Sequence, residues 1–201
     1  MNRFGRAILS GRALVTAECL PPPGADRAAL EALSAALPRD LDAIVVPDNP
    51  DRVRASALAC AAHLAREGGR SVILAMTVRD RNRIGLLSDA LGAAALAIEG
   101  ILCLGGRHQA AGIAPQAAAA HDFDSIQLTQ VLKKIVLYGS DMNGRELGPE
   151  IKLQIGAAAN PSLRPMELNL LRTRKKVTVG ADFLFTRAVF DLAGFGEWLD
   201  S

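Results

Sequence analysis

Residues 71–108 read SVILAMTVRDRNRIGLLSDALGAAALAIEGILCLGGRH and hold one full repeat of the fold with the start of the next. The run 71–78 is apolar on both alternating faces, as a parallel strand covered on both sides requires. Polar residues Arg79-Asp80-Arg81-Asn82 follow at once. Residues 82–97 then place small or apolar side chains at three- and four-residue intervals, the period of a helix that buries one face. A second apolar run, GILCL at 100–104, ends in Gly105-Gly106-Arg107-His108. The unit is strand, polar tip, helix.

The same alternation extends in both directions. Apolar runs lie at 13–20 (ALVTAECL), 43–47 (AIVVP), 151–157 (IKLQIGA) and 177–186 (VTVGADFLFT). Helical spacing recurs at 26–37, 52–66, 125–137, 165–174 and 188–199. Asp26, Asp51 and the Asp124-Ser125 pair stand where helix N-caps belong, and Gly68-Gly69 where a helix stops. Six successive βα units predict a single α/β domain over residues 1–201, built on a parallel sheet.

Two architectures accept this pattern. An open, doubly wound sheet gathers its chemistry at one or two switch points. A TIM-type (β/α) barrel carries chemistry at the C-terminal end of many strands. Here Glu18, Asp48-Asn49, Arg79-Asp80-Arg81-Asn82, Gly105-Gly106-Arg107-His108, Asn160 and Thr186-Arg187 each close one apolar run, which favours the barrel. A complete barrel of this type has eight strands, so the chain is expected to hold six of eight units, an incomplete barrel with two bare edges. A fragment, a homo-oligomer or partner chain covering the open edge, and a pared-down fold all fit that count.

Composition narrows the function before any motif does. With 23 Lys+Arg against 21 Asp+Glu, a net charge of +2, the chain lacks the basic surplus of a dedicated nucleic-acid binder. Aromatics at 4% leave few platforms for stacked bases. No apolar run is long enough to cross a bilayer, and Ser10-Gly11-Arg12 interrupts the N-terminal stretch where a signal-peptide core would lie. Cys19, Cys60 and Cys103 are far apart and odd in number, the usage of reduced thiols in a cytoplasmic protein. They, and His63, His108 and His121, have no neighbour at ligand spacing, so no metal is expected.

Several residues carry candidate chemistry. Glu18 follows apolar Val15-Thr16-Ala17 and precedes Pro21-Pro22-Pro23, a setting that holds a carboxyl still and partly desolvated, as a general acid needs; the plainer alternative is a solvated rim carboxylate. Gly105 and Gly106 would let backbone N–H groups approach a phosphate or a flavin edge, or form only a tight turn. The basic stretch Arg172-Thr173-Arg174-Lys175-Lys176 suits a diphosphate, and equally a solvated helix C-terminus. Thr77 and Asp80 end the third strand on the site face. There is no Gly-x-Ser-x-Gly, phosphate loop or Rossmann fingerprint.

Taken in order, these segments resemble one known family. Ala17-Glu18-Cys19-Leu20-Pro21-Pro22, Asp48-Asn49-Pro50, Arg79-Asp80-Arg81-Asn82-Arg83 with Ser88-Asp89-Ala90-Leu91-Gly92, and Asp122-Phe123-Asp124-Ser125 are similar to segments of methylenetetrahydrofolate reductases. So are Gly156-Ala157-Ala158-Ala159-Asn160-Pro161 and 175–183 (KKVTVGADF). The Arg-Asp-Arg-Asn form resembles a bacterial subgroup. The resemblance runs from about residue 13 to about residue 194. It implies a barrel flavoprotein that passes a hydride from NAD(P)H through FAD, or FMN in its place, to 5,10-methylenetetrahydrofolate. Glu18 would be the catalytic acid. Gly105, Gly106, Asp124, Ser125, Asn160, Asn169, Arg172, Lys175 and Lys176 would hold the cofactor, and Thr77, Asp80, Arg107 and Arg187 would face the folate. Arg107 stands where the family has Asp, and Arg187 where it has Gln. These departures keep two alternatives open: a non-catalytic folate- or flavin-binding subunit, and a barrel retuned to another anionic substrate.

Overall fold

The computed structural model describes residues 1–68 and 70–201. Helix α1 (Arg3–Leu9) precedes six strands: β1 (Thr16–Glu18), β2 (Ala43–Val46), β3 (Ser71–Thr77), β4 (Gly100–Leu104), β5 (Gln154–Ala159) and β6 (Phe183–Thr186). Between and after them lie α2 (Arg27–Ala36), α3 (Ala57–Gly68), α4 (Arg83–Ala95), α5 (Ser125–Tyr138), α6 (Met166–Thr178) and α7 (Leu192–Asp200). The strands pair in chain order, all parallel, with no reversal of direction across the sheet. A doubly wound sheet needs such a reversal, so that architecture is excluded.

The two faces of the sheet bury different partners. Ile44, Val46, Leu74, Met76, Ile101 and Ile155 point outward into a core shared with Cys60, Leu64, Leu86, Ala90, Leu128 and Leu132 of the helices. The opposite residues Ala43, Val45, Ile73, Ala75 and Leu102 form a second, inner cluster with Phe4, joined by Phe183 and Phe185 of the last strand. One cavity at the C-terminal strand ends touches both edge strands, β1 and β6. On a flat sheet these would stand about 24 Å apart at ordinary strand spacing. The sheet is therefore curled into a half-barrel, its helices outside and its inner face concave.

Helix α1 was not expected from the sequence, because seven residues are too few to show a period. It seals the N-terminal end of the concave face. Asn2 caps it, accepting from the Gly5 N–H at 2.8 Å, and the Asn2 amide donates to the carbonyls of Glu99 (2.6 Å) and Lys152 (3.0 Å). The Phe4 N–H donates to the Glu99 carboxylate at 2.5 Å. The Phe4 ring, 2% exposed, meets Phe183 edge-on with centroids 5.2 Å apart. Gly156 is paired with Phe183 across β5 and β6, and a Cβ there would come within 2.2 Å of the ring.

Most element positions agree with the sequence pattern and several boundaries move. Asp26 and Asp124 cap α2 and α5, the latter through a reciprocal capping box with Gln127. Asp51 does not cap α3, which begins at Ala57; its carboxylate instead holds Arg54 at 2.7 Å. The stop expected at Gly68-Gly69 involves residue 69, which lies outside the described residues. Val177 and Thr178 end α6 rather than open β6, and β5 begins at Gln154. Among the described residues, no helix is long and apolar enough to cross a membrane.

Candidate functional site

Alternation along each strand decides what reaches the concave face. In β1, Thr16 and Glu18 share a side, and Glu18 is in register with inner-face Val45. The same parity brings Leu102 and Leu104 of β4, Ala158 of β5 and Phe185 of β6 inward. Continued past the strand ends, it presents Gly106, Asn160 and Arg187 at the rim. These residues, with one face of α6, line a cavity of about 890 Å³.

Helix α6 supplies that wall through Asn169, Arg172, Thr173 and Lys176, a three- and four-residue spacing along a single face. Asn169 and Thr173 are buried. The Asn169 amide donates to the Asn160 carbonyl at 2.8 Å, tying α6 to the end of β5. Lys176 Nζ donates to the Ala158 carbonyl at 2.6 Å. Burial, and then the like charge of Arg172, lower the Lys176 pKa, while Asp124 pulls the other way. Among the described residues the Arg172 guanidinium has no hydrogen-bond or ion-pair partner, so this wall carries uncompensated positive charge.

Of the residues singled out from the sequence, Glu18, Gly106, Asn160, Asn169, Arg172, Lys176 and Arg187 meet in this cavity. The others do not line it. Lys175 belongs to a different side of α6, about 120° around from Asn169. Thr77 is buried, its hydroxyl and N–H both donating to Asp48 at 2.9 Å. Asp80 binds the buried Arg79, at 2.7 Å to Nε and 2.5 Å to the terminal nitrogen. Arg107 and Gly105 are exposed, with open space where a Gly105 Cβ would be. Asp124 is the cap of α5, accepting from the Gln127 N–H at 2.7 Å, and Ser125 is that helix's first residue.

One expectation is corrected for Glu18. The partial desolvation foreseen from its apolar and proline neighbours is absent, because β1 is an edge strand of three residues that pairs, among the described residues, with β2 alone, and Glu18 is exposed. Gly106, by contrast, is placed as a glycine must be. Its φ is +75°, and a Cβ would lie 2.9 Å from Cβ of Arg79. Its backbone can therefore approach a ligand closely.

Sequence reasoning missed the scaffold beneath the rim. Asp48 is 7% exposed and accepts from the tip of β3 and from Arg81, whose other nitrogen reaches Asp89 of α4 at 2.5 Å. One buried carboxylate thus joins β2, β3 and α4. Arg79 is buried and Arg81 half-buried. The signal was a carboxylate, Asp48, separated from the wholly apolar 43–46 only by Pro47. Among the described residues, no group of three His, Cys, Asp or Glu side chains gathers as metal ligands would. The rings of His108 and His121 stack at 6.1 Å, joining the two ends of the long loop after β4.

No protein-family model matches the sequence, and no curated protein matches it. Solved structures do match by shape. A 2,3-dimethylmalate lyase of the PEP mutase/isocitrate lyase superfamily has a TM-score of 0.62 at 14% identity, over 100% of this chain and 67% of the lyase. A Clostridium thermocellum protein that binds two copies of 5-methyl-5,6,7,8-tetrahydrofolic acid has a TM-score of 0.64 at 13% identity, over 98% of this chain and 62% of that one. A phosphonopyruvate hydrolase in complex with oxalate and Mg²⁺ gives 0.60 at 16%, over 100% and 69%. The chain spans about two thirds of the length of the structures it matches, 62% to 69%. What it has in common with them is a fold, the (β/α)-barrel type.

Proposed function

We propose that the chain is the flavin- and folate-binding part of an oxidoreductase of the methylenetetrahydrofolate reductase type, six of the eight units of a complete barrel. The observation that carries this reading is the convergence of Glu18 from β1 with Asn169, Arg172 and Lys176 from α6 on one cavity. These residues are more than 150 positions apart in the chain, and the resemblance selected them for two halves of one reaction. A folate-binding protein among the fold neighbours supports the choice of ligand.

The cations of the α6 wall support the choice of a dinucleotide flavin. Arg172 and the half-buried Lys176 are like charges held together, and a diphosphate is the group that compensates such a pair. Asn169 holds the turn at Asn160, and Gly106, with no side chain, would let a bound ring come close to its backbone. FAD, if bound there, would supply hydride transfer from NAD(P)H to the folate. Glu18, at the opposite rim, donates a proton from its carboxyl to the ring nitrogen of the folate as the methylene bridge opens.

The test is spectroscopic. Protein purified in the presence of FAD shows the visible flavin band, NADH bleaches it, and 5,10-methylenetetrahydrofolate restores it. In Glu18→Gln, bleaching persists while restoration falls by about a hundredfold or more, the scale of a lost general acid. Loss of both steps together would make Glu18 structural. The exposure of Glu18 and the bare edges of β1 and β6 favour one second reading, a non-catalytic binding subunit of a larger assembly. That subunit binds folate or flavin and shows no bleaching by NADH.

A further inference from the structure

The cavity holds a third cation besides the Arg172–Lys176 pair assigned to a diphosphate. Its charged lining residues are Glu18, Arg172, Lys176 and Arg187. Arg172 and Lys176 share a face of α6, whereas Arg187 stands one residue beyond β6. The Arg187 N–H donates to the Ala159 carbonyl at 3.1 Å, extending the β5–β6 ladder, so its backbone is held in place. The alternation of Phe183, Phe185 and Arg187 directs it to the concave side. Among the described residues, neither the Arg187 guanidinium nor the Glu18 carboxylate has a hydrogen-bond or ion-pair partner. The two opposite charges belong to opposite edge strands and remain apart. Arg187 itself is exposed at the rim, and Phe185, Leu104 and Leu163 also line the cavity.

We propose that Arg187 is the centre of a carboxylate-binding subsite, separate from the Arg172–Lys176 pair, and that the ligand filling this cavity carries a carboxylate for it. One guanidinium compensates one charge, and its planar fork matches the two oxygens of a carboxylate. A phosphate monoester, with a charge of about −1.5 to −2, calls for a second cation. The ligand's anionic end therefore belongs at the β6 rim, where the backbone of Arg187 is held. The inference goes beyond the reductase reading and holds with or without a flavin on α6.

The probes are glutarate and its neutral diamide, glutaramide, titrated into the full chain and followed by amide chemical shifts. Glutarate binds the wild type and glutaramide does not. Arg187→Gln weakens glutarate about tenfold, and Arg187→Lys, which keeps the charge but loses the fork, recovers part of that loss. Arg187→Gln costs more glutarate affinity than Arg172→Gln with Lys176→Gln does. Equal binding of both probes, no binding of either, or glutarate affinity that survives Arg187→Gln would overturn the proposal. Because no flavin takes part, its failure is separate from a failure of the spectroscopic test.

Discussion

At the scale of single residues, the site is shaped as much by what cannot be substituted as by what carries charge. Gly106 combines a left-handed backbone with a neighbour, Cβ of Arg79, that is too close to its own backbone to move aside. Gly106→Ala is expected to cost about 2 kcal/mol, from the left-handed conformation and the clash together, read as a lower urea midpoint. An unchanged midpoint would mean that the rim is pliable. The buried cysteines show the opposite behaviour, since they contribute packing and little reactivity. Burial raises all three thiols, Cys103 up to about 12. At that value Cys103 is no nucleophile at neutral pH, which keeps it out of the site chemistry.

At the scale of elements, caps and candidate ligands compete for the same residues. Asp124 stands near Lys176 and also caps α5, and the capping box explains its position without any ligand. Two variants separate these roles. Asp124→Ala should lose about 1 kcal/mol of stability, while Asp124→Asn keeps the cap and most of that stability. If Asp124 also governs the charge of the α6 wall, Asp124→Asn alone will alter FAD affinity; unchanged affinity in a stable Asp124→Asn protein assigns it to the cap only. Helix α1 shows the same economy. Seven residues with no visible period become an element because Asn2, Phe4 and Glu99 fasten them to the N-terminal ends of the strands.

At the scale of the whole molecule, ion pairs near the surface tie connecting segments to the sheet. Arg12 holds Asp42, Arg54 holds Asp51 and Arg83 holds Asp122, and hydrogen bonds from these arginines bring each carboxylate down to about 2. Asp42 also accepts from the Val15 N–H at 2.8 Å, just before β1. A carboxylate whose pKa is lower folded than unfolded stabilises the fold above its unfolded value, about 3.9, and loses that contribution as pH falls through the folded value. Stability should therefore be flat from pH 7 to about 4 and decline between about 4 and 2. Urea midpoints at pH 5, 3 and 2 check this, and a midpoint unchanged at pH 2 would show that the three ties contribute nothing.

The sequence by itself determined the order of the elements, the parallel sheet and the set of polar strand tips. Periods of two and 3.6 and the residues that end them are local properties, and 100–104 is legible as β4 without any partner. It also marked Glu18, Asn169, Arg172, Lys176 and Arg187, chosen by chemical type and by resemblance. Only the tertiary structure decided which of the marked residues meet. Curling brings Glu18 and Arg187 from opposite edges to one cavity, whereas Asp48 draws Thr77 into a buried network and Arg79 takes Asp80. Exposure was equally undecidable from the chain, because whether Glu18 is desolvated depends on what covers an edge strand. Burial is a contest among side chains distant in sequence, and its outcome is settled only when every neighbour is in place.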